Sequence, residues 1–383
     1  MTVANRIADV RLLLTGADGF IGRNFEVRVA GRSAITLYRA VRDTTDAELR
    51  SQIAAADVIV HLAGCNRPND IADFAVDNSG LSARLAETVR MQAGPRKHIL
   101  FSSSIQAVCD NPYGRSKLHS ETVIAALADD GGADVAIFRL PNVFGKWARP
   151  QYNSAVATFC HAAAHGQPLP VNDPASPLSL VYIDDVVTAM LDAVDNRQPG
   201  LTWPVIAPCY TTTVGEVAAT IAYFARTRLS LGVGRVGAGL PRALYATFLA
   251  ALAPVDFAYP VPVYGDHRGR FVEAVKTLDS GQLSYFTQAP GVIRGGHYHD
   301  TKSEKFLVLA GHARFRFRHL VSGDRYAIDV TAAEPKIVDT IPGWAHDVVN
   351  LGDNELIVLV WANEVFDRAA PDTVATQVDQ CAA

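Results

Sequence analysis

Between residue 10 and about residue 250, short β-rich apolar runs alternate with helix-like stretches, and beyond Tyr264 that alternation stops. The runs are VRLLLTG, ADVIVHLAG, KHILFSSS and DVAIFRLPNVFG, with stretches such as LSARLAETVRMQA and KLHSETVIAALADD between them. Strands of this kind are buried in a parallel sheet with helices on both faces. Pro254, Pro260 and Pro262 crowd the point where the pattern breaks, which marks a linker. Short alternating strands follow, HARFRFRHL and ELIVLVWAN, with frequent turn residues and no long amphipathic helix. That is the texture of a small β-sandwich or barrel. The expected fold is therefore α/β: a Rossmann-type doubly wound parallel sheet over 1–255 and an all-β domain over 256–383. The polar tail from Asp372 is expected to fray.

Composition narrows the functions. A hydrophobic share of 49% suits a packed protein, and a net charge of −4 without a long basic run argues against nucleic acid and anionic membranes as partners. ALYATFLAALAP falls far short of the roughly 20 apolar residues that span a bilayer. No secretory leader is apparent at the N-terminus. Five scattered cysteines without a CxxC fit a reduced cytoplasm, with Cys160 and Cys209 as core fillers.

Gly16-Ala17-Asp18-Gly19-Phe20-Ile21-Gly22 follows a strand and opens a helix. Gly16, Gly19 and Gly22 allow a tight turn and close approach of backbone to a pyrophosphate, at the positive end of the helix that Phe20 and Ile21 begin. Leu62-Ala63-Gly64, closing VIVHLAG, completes the expected dinucleotide crevice. At the end of AITLYRAVRD, where an acid bonds the ribose of NAD, stand Tyr38, Arg39 and Arg42. A guanidinium suits a 2′-phosphate, so NADP(H) is the expected cofactor. Tyr113 and Lys117 in NPYGRSK share a helix face. The ammonium is expected to lower the phenol pKa, letting Tyr113 move a proton at a carbonyl oxygen while hydride moves at carbon. A serine at the preceding strand end would anchor the same oxygen, Ser104 first and Ser103 second.

These residues carry a resemblance. TGADGFIG, VIVHLAG, PYGRSK, RLPNVFG and VYIDDV resemble the extended short-chain dehydrogenase/reductases that act on nucleotide sugars. The resemblance implies that Asn142, and with less support Asn66 and Arg67, face the substrate. The gap of nine residues from Ser104 to Tyr113 is shorter than that family's pattern. Ile105 and Gln106 stand where nucleotide-sugar dehydratases carry an acid pair, so a 4,6-dehydratase is not expected.

The second cluster is His297-x-His299-x4-Glu304, with His346 after a Pro-Gly turn. Residues two apart on a strand point the same way, so both imidazoles of the first pair are expected on one face. Three histidines and a glutamate suit Zn, Fe, Ni or Mn with a position left open. The blocks resemble the paired motifs of cupins, which implies a double-stranded β-helix and a divalent metal, zinc first. Asp266-x-Arg268-Gly269-x-Phe271-x-Glu273 and Gly291-Val292-Ile293-Arg294-Gly295-x-His297 also resemble metal-free epimerases of nucleotide-linked 4-keto-6-deoxysugars. Arg314, Arg316 and Arg318 in ARFRFR form either a solvated face or a diphosphate grip.

The two halves together resemble the bifunctional UDP-2-acetamido-2,6-β-L-arabino-hexul-4-ose reductases of capsule and O-antigen synthesis, over about 370 residues. That resemblance implies C3 epimerisation of a UDP-linked 4-keto-6-deoxy-N-acetylhexosamine by the cupin, C4 reduction by the N-terminal domain with NADPH, and a homodimer. The alternative is a single-activity reductase whose cupin only dimerises or senses a ligand.

Overall fold

The computed structural model describes residues 9–67, 70, 73–92, 94–261, 263–266, 269–272, 275–277, 281–364 and 369–379. The chain forms two compact units, 1–143 with 178–211, and 144–177 with 212–383.

The first unit holds the parallel sheet. Its strands are β1 (Val10–Thr15), β2 (Ile35–Ala40), β3 (Val58–His61), β4 (Lys97–Ser104), β5 (Ala133–Leu140) and the short Leu201–Thr202, in the order β2-β1-β3-β4-β5-(201–202). Every pairing is parallel. β3 and β4 are buried at every residue, which is why their sequences run apolar instead of alternating. Helices α1 (Phe20–Ala30), α2 (Asp46–Ala55), α3 (Leu81–Met91) and α4 (Pro112–Asp129) connect them. Leu85 and Val89 of α3 and Ile124 and Leu127 of α4 close one core with Ile59, Ile99, Phe101 and Ile137. The strand order reverses between β1 and β3, the switch point at whose carboxyl ends open α/β sheets bind their ligands.

The second unit contains two five-stranded antiparallel sheets. One runs 258–260, 336–339, 304–310, 356–362, 282–288; the other runs 325–331, 312–319, 344–350, 293–298, 374–375. Alternation along ARFRFR places Ala313, Phe315 and Phe317 in the core, and Phe306 meets Phe315 at a centroid distance of 5.4 Å between the sheets. The packing division does not follow the boundary expected from the sequence at 255/256. Helix Val214–Ser230 precedes that boundary, yet Arg228 pairs with the buried Asp339, which also takes Lys305 Nζ at 2.6 Å. Trp147 lies against Gly343, where a Cβ would sit 2.8 Å from the indole. These contacts tie 144–177 and 212–257 to the strands by packing.

The tail is a correction to the sequence reading. Val374–Ala375 pairs with His297–Tyr298, Val378 is buried, and Asp372 accepts several hydrogen bonds. A polar tail stays in place here because its acid finds buried amides, a long-range match that composition does not reveal.

Candidate active site and metal centre

In the first unit, Thr15 organises the crevice. Its hydroxyl bonds His61 Nδ1 at 2.7 Å and accepts the Ala63 N–H at 3.2 Å. Gly16 has φ +69°, and a Cβ there would lie 2.8 Å from Ala63 N; one on Gly22 would lie 2.3 Å from Gly16 O. Turn, helix and β3 thus touch backbone to backbone. No side chain caps the first turn of α1, and no acid stands in it. A cradle that a Cβ would fill, at an uncapped helix N-terminus, fits a pyrophosphate. Leu62 and Ala63 lie along it, and Gly64 leads to the next group, since its Cβ would be 3.5 Å from Lys117 Nζ.

Asn111 caps α4 through the Gly114 N–H at 2.7 Å, with Pro112 at the first turn. Tyr113 and Lys117 follow one turn apart. The short gap from Ser104 is taken up by a one-turn 3-10 helix, Ile105–Val108, against which Gly114 packs; a Cβ there would be 2.3 Å from Gln106 O. Ser104 Oγ accepts the Gln106 N–H at 3.1 Å and hydrogen-bonds Tyr113. Ser103 is turned away, donating to Glu121 Oε1 at 2.5 Å, and Arg139 grips Glu121 at 2.9 and 2.7 Å.

Lys117 Nζ donates to Ser102 O at 3.0 Å, and burial brings the ammonium down to about 8 against the opposing pull of Glu121. The expected lowering of Tyr113 does not occur. Burial raises its phenol and outweighs the Ser104 hydrogen bond, while Lys117 points at a carbonyl. A phenol that holds its proton is a donor, the role reduction of a ketone requires.

Arg39 is held between Asp18 at 2.8 Å and Glu26 at 2.9 Å. Asn66 and Arg67 lie on an exposed bend, and Asn142, also exposed, donates to Ser179 O at 3.1 Å. Two residues were not singled out in the sequence. Asn78 clamps both backbone groups of Cys65, at 2.8 and 2.9 Å, and donates to Ser116 Oγ at 3.0 Å. Glu121 stands behind Lys117, and its place four residues on along the same helix was the available signal.

In the second unit, His297, His299, Glu304 and His346 bring one ligand atom each within 4.8 Å of one another. His297 and His346 are cross-strand partners, brought into register by a bulge between Gly295 and His297. Gly295 and Gly296, at φ +101° and +75°, supply the left-handed backbone that the bulge needs. The strand ends at Tyr298, so His299 joins His297 by a turn and not by strand alternation. His299 Nε2 is 3.2 Å from Glu304 Oε2, and His346 Nε2 is 3.7 Å from the same oxygen. Lys302 Nζ is 3.7 Å from Glu304 Oε1.

Burial, reinforced by His346 and His299, brings His297 down to about 3. Burial alone would raise the Glu304 carboxyl, but the neighbouring imidazoles hold it well below its ordinary value. A neutral His297 imidazole and an ionised Glu304 carboxylate are protonation states that metal ligands adopt. Neither ring nitrogen of the buried His346 has a hydrogen-bond partner among the described residues, which fits a site built for an ion. Arg314 pairs with Asp329, Arg316 with Asp347 and Asp379, and Arg318 with Thr376 and Gln377. Arg268 and Glu273 lie outside the described residues.

Residues 12–204 match the NAD dependent epimerase/dehydratase family, and residues 264–374 match the polysaccharide biosynthesis C-terminal domain. The chain belongs to the first family, in a form that carries the second domain. It is 47% identical over 371 residues to a UDP-2-acetamido-2,6-beta-L-arabino-hexul-4-ose reductase of Pseudomonas aeruginosa, covering 97% of this chain and 100% of the relative. The crystal structure of the capsular polysaccharide assembling protein CapF from Staphylococcus aureus superposes with a TM-score of 0.65 at 35% identity, over 96% of this chain and 100% of that one. WbmF of Bordetella bronchiseptica, solved with NADH, shares the fold at 19% identity and TM-score 0.50, over 57% of this chain and 78% of that one. Among the described residues no helix is long and apolar enough to cross a membrane.

Proposed function

We propose that this chain is a bifunctional nucleotide-sugar enzyme. The strand-rich C-terminal part inverts C3 of a UDP-4-keto-6-deoxy-N-acetylhexosamine, and the N-terminal part reduces the C4 ketone with NADPH to a UDP-N-acetyl-6-deoxy-L-talosamine, a precursor of UDP-N-acetyl-L-fucosamine. The observation that carries this reading is the presence of two complete side-chain sets in one chain, Ser104-Tyr113-Lys117 and His297-His299-Glu304-His346. The Pseudomonas relative, matched end to end, is by name a reductase of a 4-ketosugar.

Reduction needs one hydride at C4, which bound NADPH supplies, and one proton at the C4 oxygen. Tyr113 gives that proton. Ser104, hydrogen-bonded to the phenol, holds the same oxygen, and Lys117 steadies the charge left on Tyr113. Asn142, Asn66 and Arg67 are assigned to the sugar nucleotide. Inversion at C3 is a proton exchange without net oxidation. The proton next to the C4 ketone leaves one face and returns to the other. His297, His299, Glu304 and His346 would hold a divalent cation, zinc first. Such an ion polarises a carbonyl oxygen and so acidifies the adjacent C–H. Lys302 Nζ stands 3.7 Å from Glu304 Oε1, beside that set.

The test uses full-length protein in deuterated water without NADPH. Deuterium at C3 of the recovered 4-keto sugar is expected; its absence, with reduction intact, would leave a single-activity reductase.

Two predictions concern the reductase half. NADPH turnover is expected to decline as pH rises through about 8. The Lys117 ammonium is present below that value and lost above it, and a kcat profile checks this. Arg39→Ala is expected to raise KM for NADPH roughly 10- to 100-fold, the equivalent of about 1.5–3 kcal/mol for a hydrogen bond to a charged group. KM for NADH should stay near its starting value. Equal changes for both cofactors would mean that Arg39 serves only Asp18 and Glu26.

A further inference from the structure

Between His299 and Glu304 lie Asp300, Thr301, Lys302 and Ser303, four polar residues in succession and all buried. Burying such a run requires a partner for each amide. Asn363 Oδ1 accepts the Ser303 N–H at 3.0 Å, and Thr340 Oγ1 accepts the Glu304 N–H at 2.9 Å. The other three amides converge on one side chain. The Asp372 carboxylate accepts the N–H of Asp300 at 2.8 Å, of Thr301 at 2.8 Å and of Lys302 at 2.7 Å, with the Thr301 hydroxyl at 2.9 Å. The backbone carbonyl of the same residue lies 2.5 Å from His299 Nδ1. Thr373 Oγ1 takes Lys302 Nζ at 2.9 Å. Asp372 reaches the turn because Val374–Ala375 joins the sheet beside His297 and Tyr298.

We propose that Asp372 is a positioning residue for the metal centre. Its carboxylate fixes the path of the chain from one ligand to the next. Its carbonyl takes the Nδ1 proton of His299, which selects the tautomer whose Nε2 faces Glu304 and the ion. The proposal rests on reading His297, His299, Glu304 and His346 as a metal set. Without Asp372, three buried amides lose their acceptor at once. Water must then enter the turn, and the 3.2 Å approach of His299 to Glu304 is no longer enforced. Removing an outer partner of a ligating histidine typically costs 10- to 100-fold in metal affinity.

The experiment compares full-length wild type with Asp372→Ala and Asp379→Ala. Zinc affinity is measured by competition with a chelating dye, and the cobalt-substituted proteins are compared by their visible absorption. Wild type is expected to bind one ion per chain. Asp372→Ala should bind roughly 10- to 100-fold more weakly, with a changed cobalt spectrum. Asp379→Ala removes the contacts of the same tail with Arg316 and Arg325 but touches no part of the turn, and should keep wild-type affinity. Asp372→Asn retains one acceptor oxygen; it is expected between the two and serves if the alanine variant does not fold. Unchanged affinity and spectrum in the Asp372 variants, with wild type binding, overturns the positioning role alone. No metal in wild type overturns the metal reading and this proposal with it.

Discussion

Tyr113→Phe is expected to lower NADPH oxidation on the 4-keto sugar by about 10²–10⁴-fold, the usual contribution of a positioned proton donor. The ring fits the same space, so the helix and its Asn111 cap are left as they are. Only the phenol oxygen goes, and with it the proton for the C4 oxygen and the hydrogen bond with Ser104. Deuterium exchange at C3 should continue in this variant, since none of its groups belongs to the His/Glu set. Loss of both activities would show that exchange depends on reduction, against the proposed division of labour. Ser104→Ala should fall in the same direction by less, because the phenol remains. Ser103→Ala should act through Glu121 and Arg139, and so on stability first.

The candidate Ser/Tyr/Lys site was more legible in the sequence than the His/Glu cluster, for a physical reason. Its parts are local: a glycine turn joins one strand to one helix, and Tyr113 and Lys117 are separated by a single helical turn. Such spacings are fixed by backbone geometry alone. The 3-10 segment after Ser104 was hidden because only packing against Gly114 shows how nine residues can close that gap. The phenol shift was misjudged because burial, which outweighed neighbouring charge, is a tertiary property. The His/Glu cluster was legible as residue types but not as geometry. His299 lies past the end of its strand, and a glycine bulge is what sets His297 opposite His346. Asp372 could not be found by spacing, since it lies 70 or more residues from the amides it accepts. Its polar neighbourhood pointed the other way, toward a frayed end.

His346→Ala is expected to abolish C3 exchange and to weaken metal binding by more than the roughly 10- to 100-fold lost with an outer partner. The substitution should change stability as well as activity. His346 is buried within the strand Trp344–Asn350, with two ring nitrogens that have no hydrogen-bond partner among the described residues. Burying such a group costs about 1–3 kcal/mol. Truncating it to alanine relieves that cost and leaves a cavity, two effects of opposite sign. Without metal, the variant should therefore melt close to wild type. With metal, wild type gains stability by mass action, about 2.7 kcal/mol when free ion stands at 100 times Kd, and the variant gains little. The difference in Tm between chelator and added zinc should thus be large in wild type and nearly absent in His346→Ala. NADPH oxidation on a substrate already inverted at C3 should be unaffected, because His297, His299, Glu304 and His346 all lie outside the unit that carries helix α4 and Tyr113. An equal Tm gain from zinc in both proteins would mean that the ion binds elsewhere. The four side chains would then be a packed polar cluster and not a metal centre.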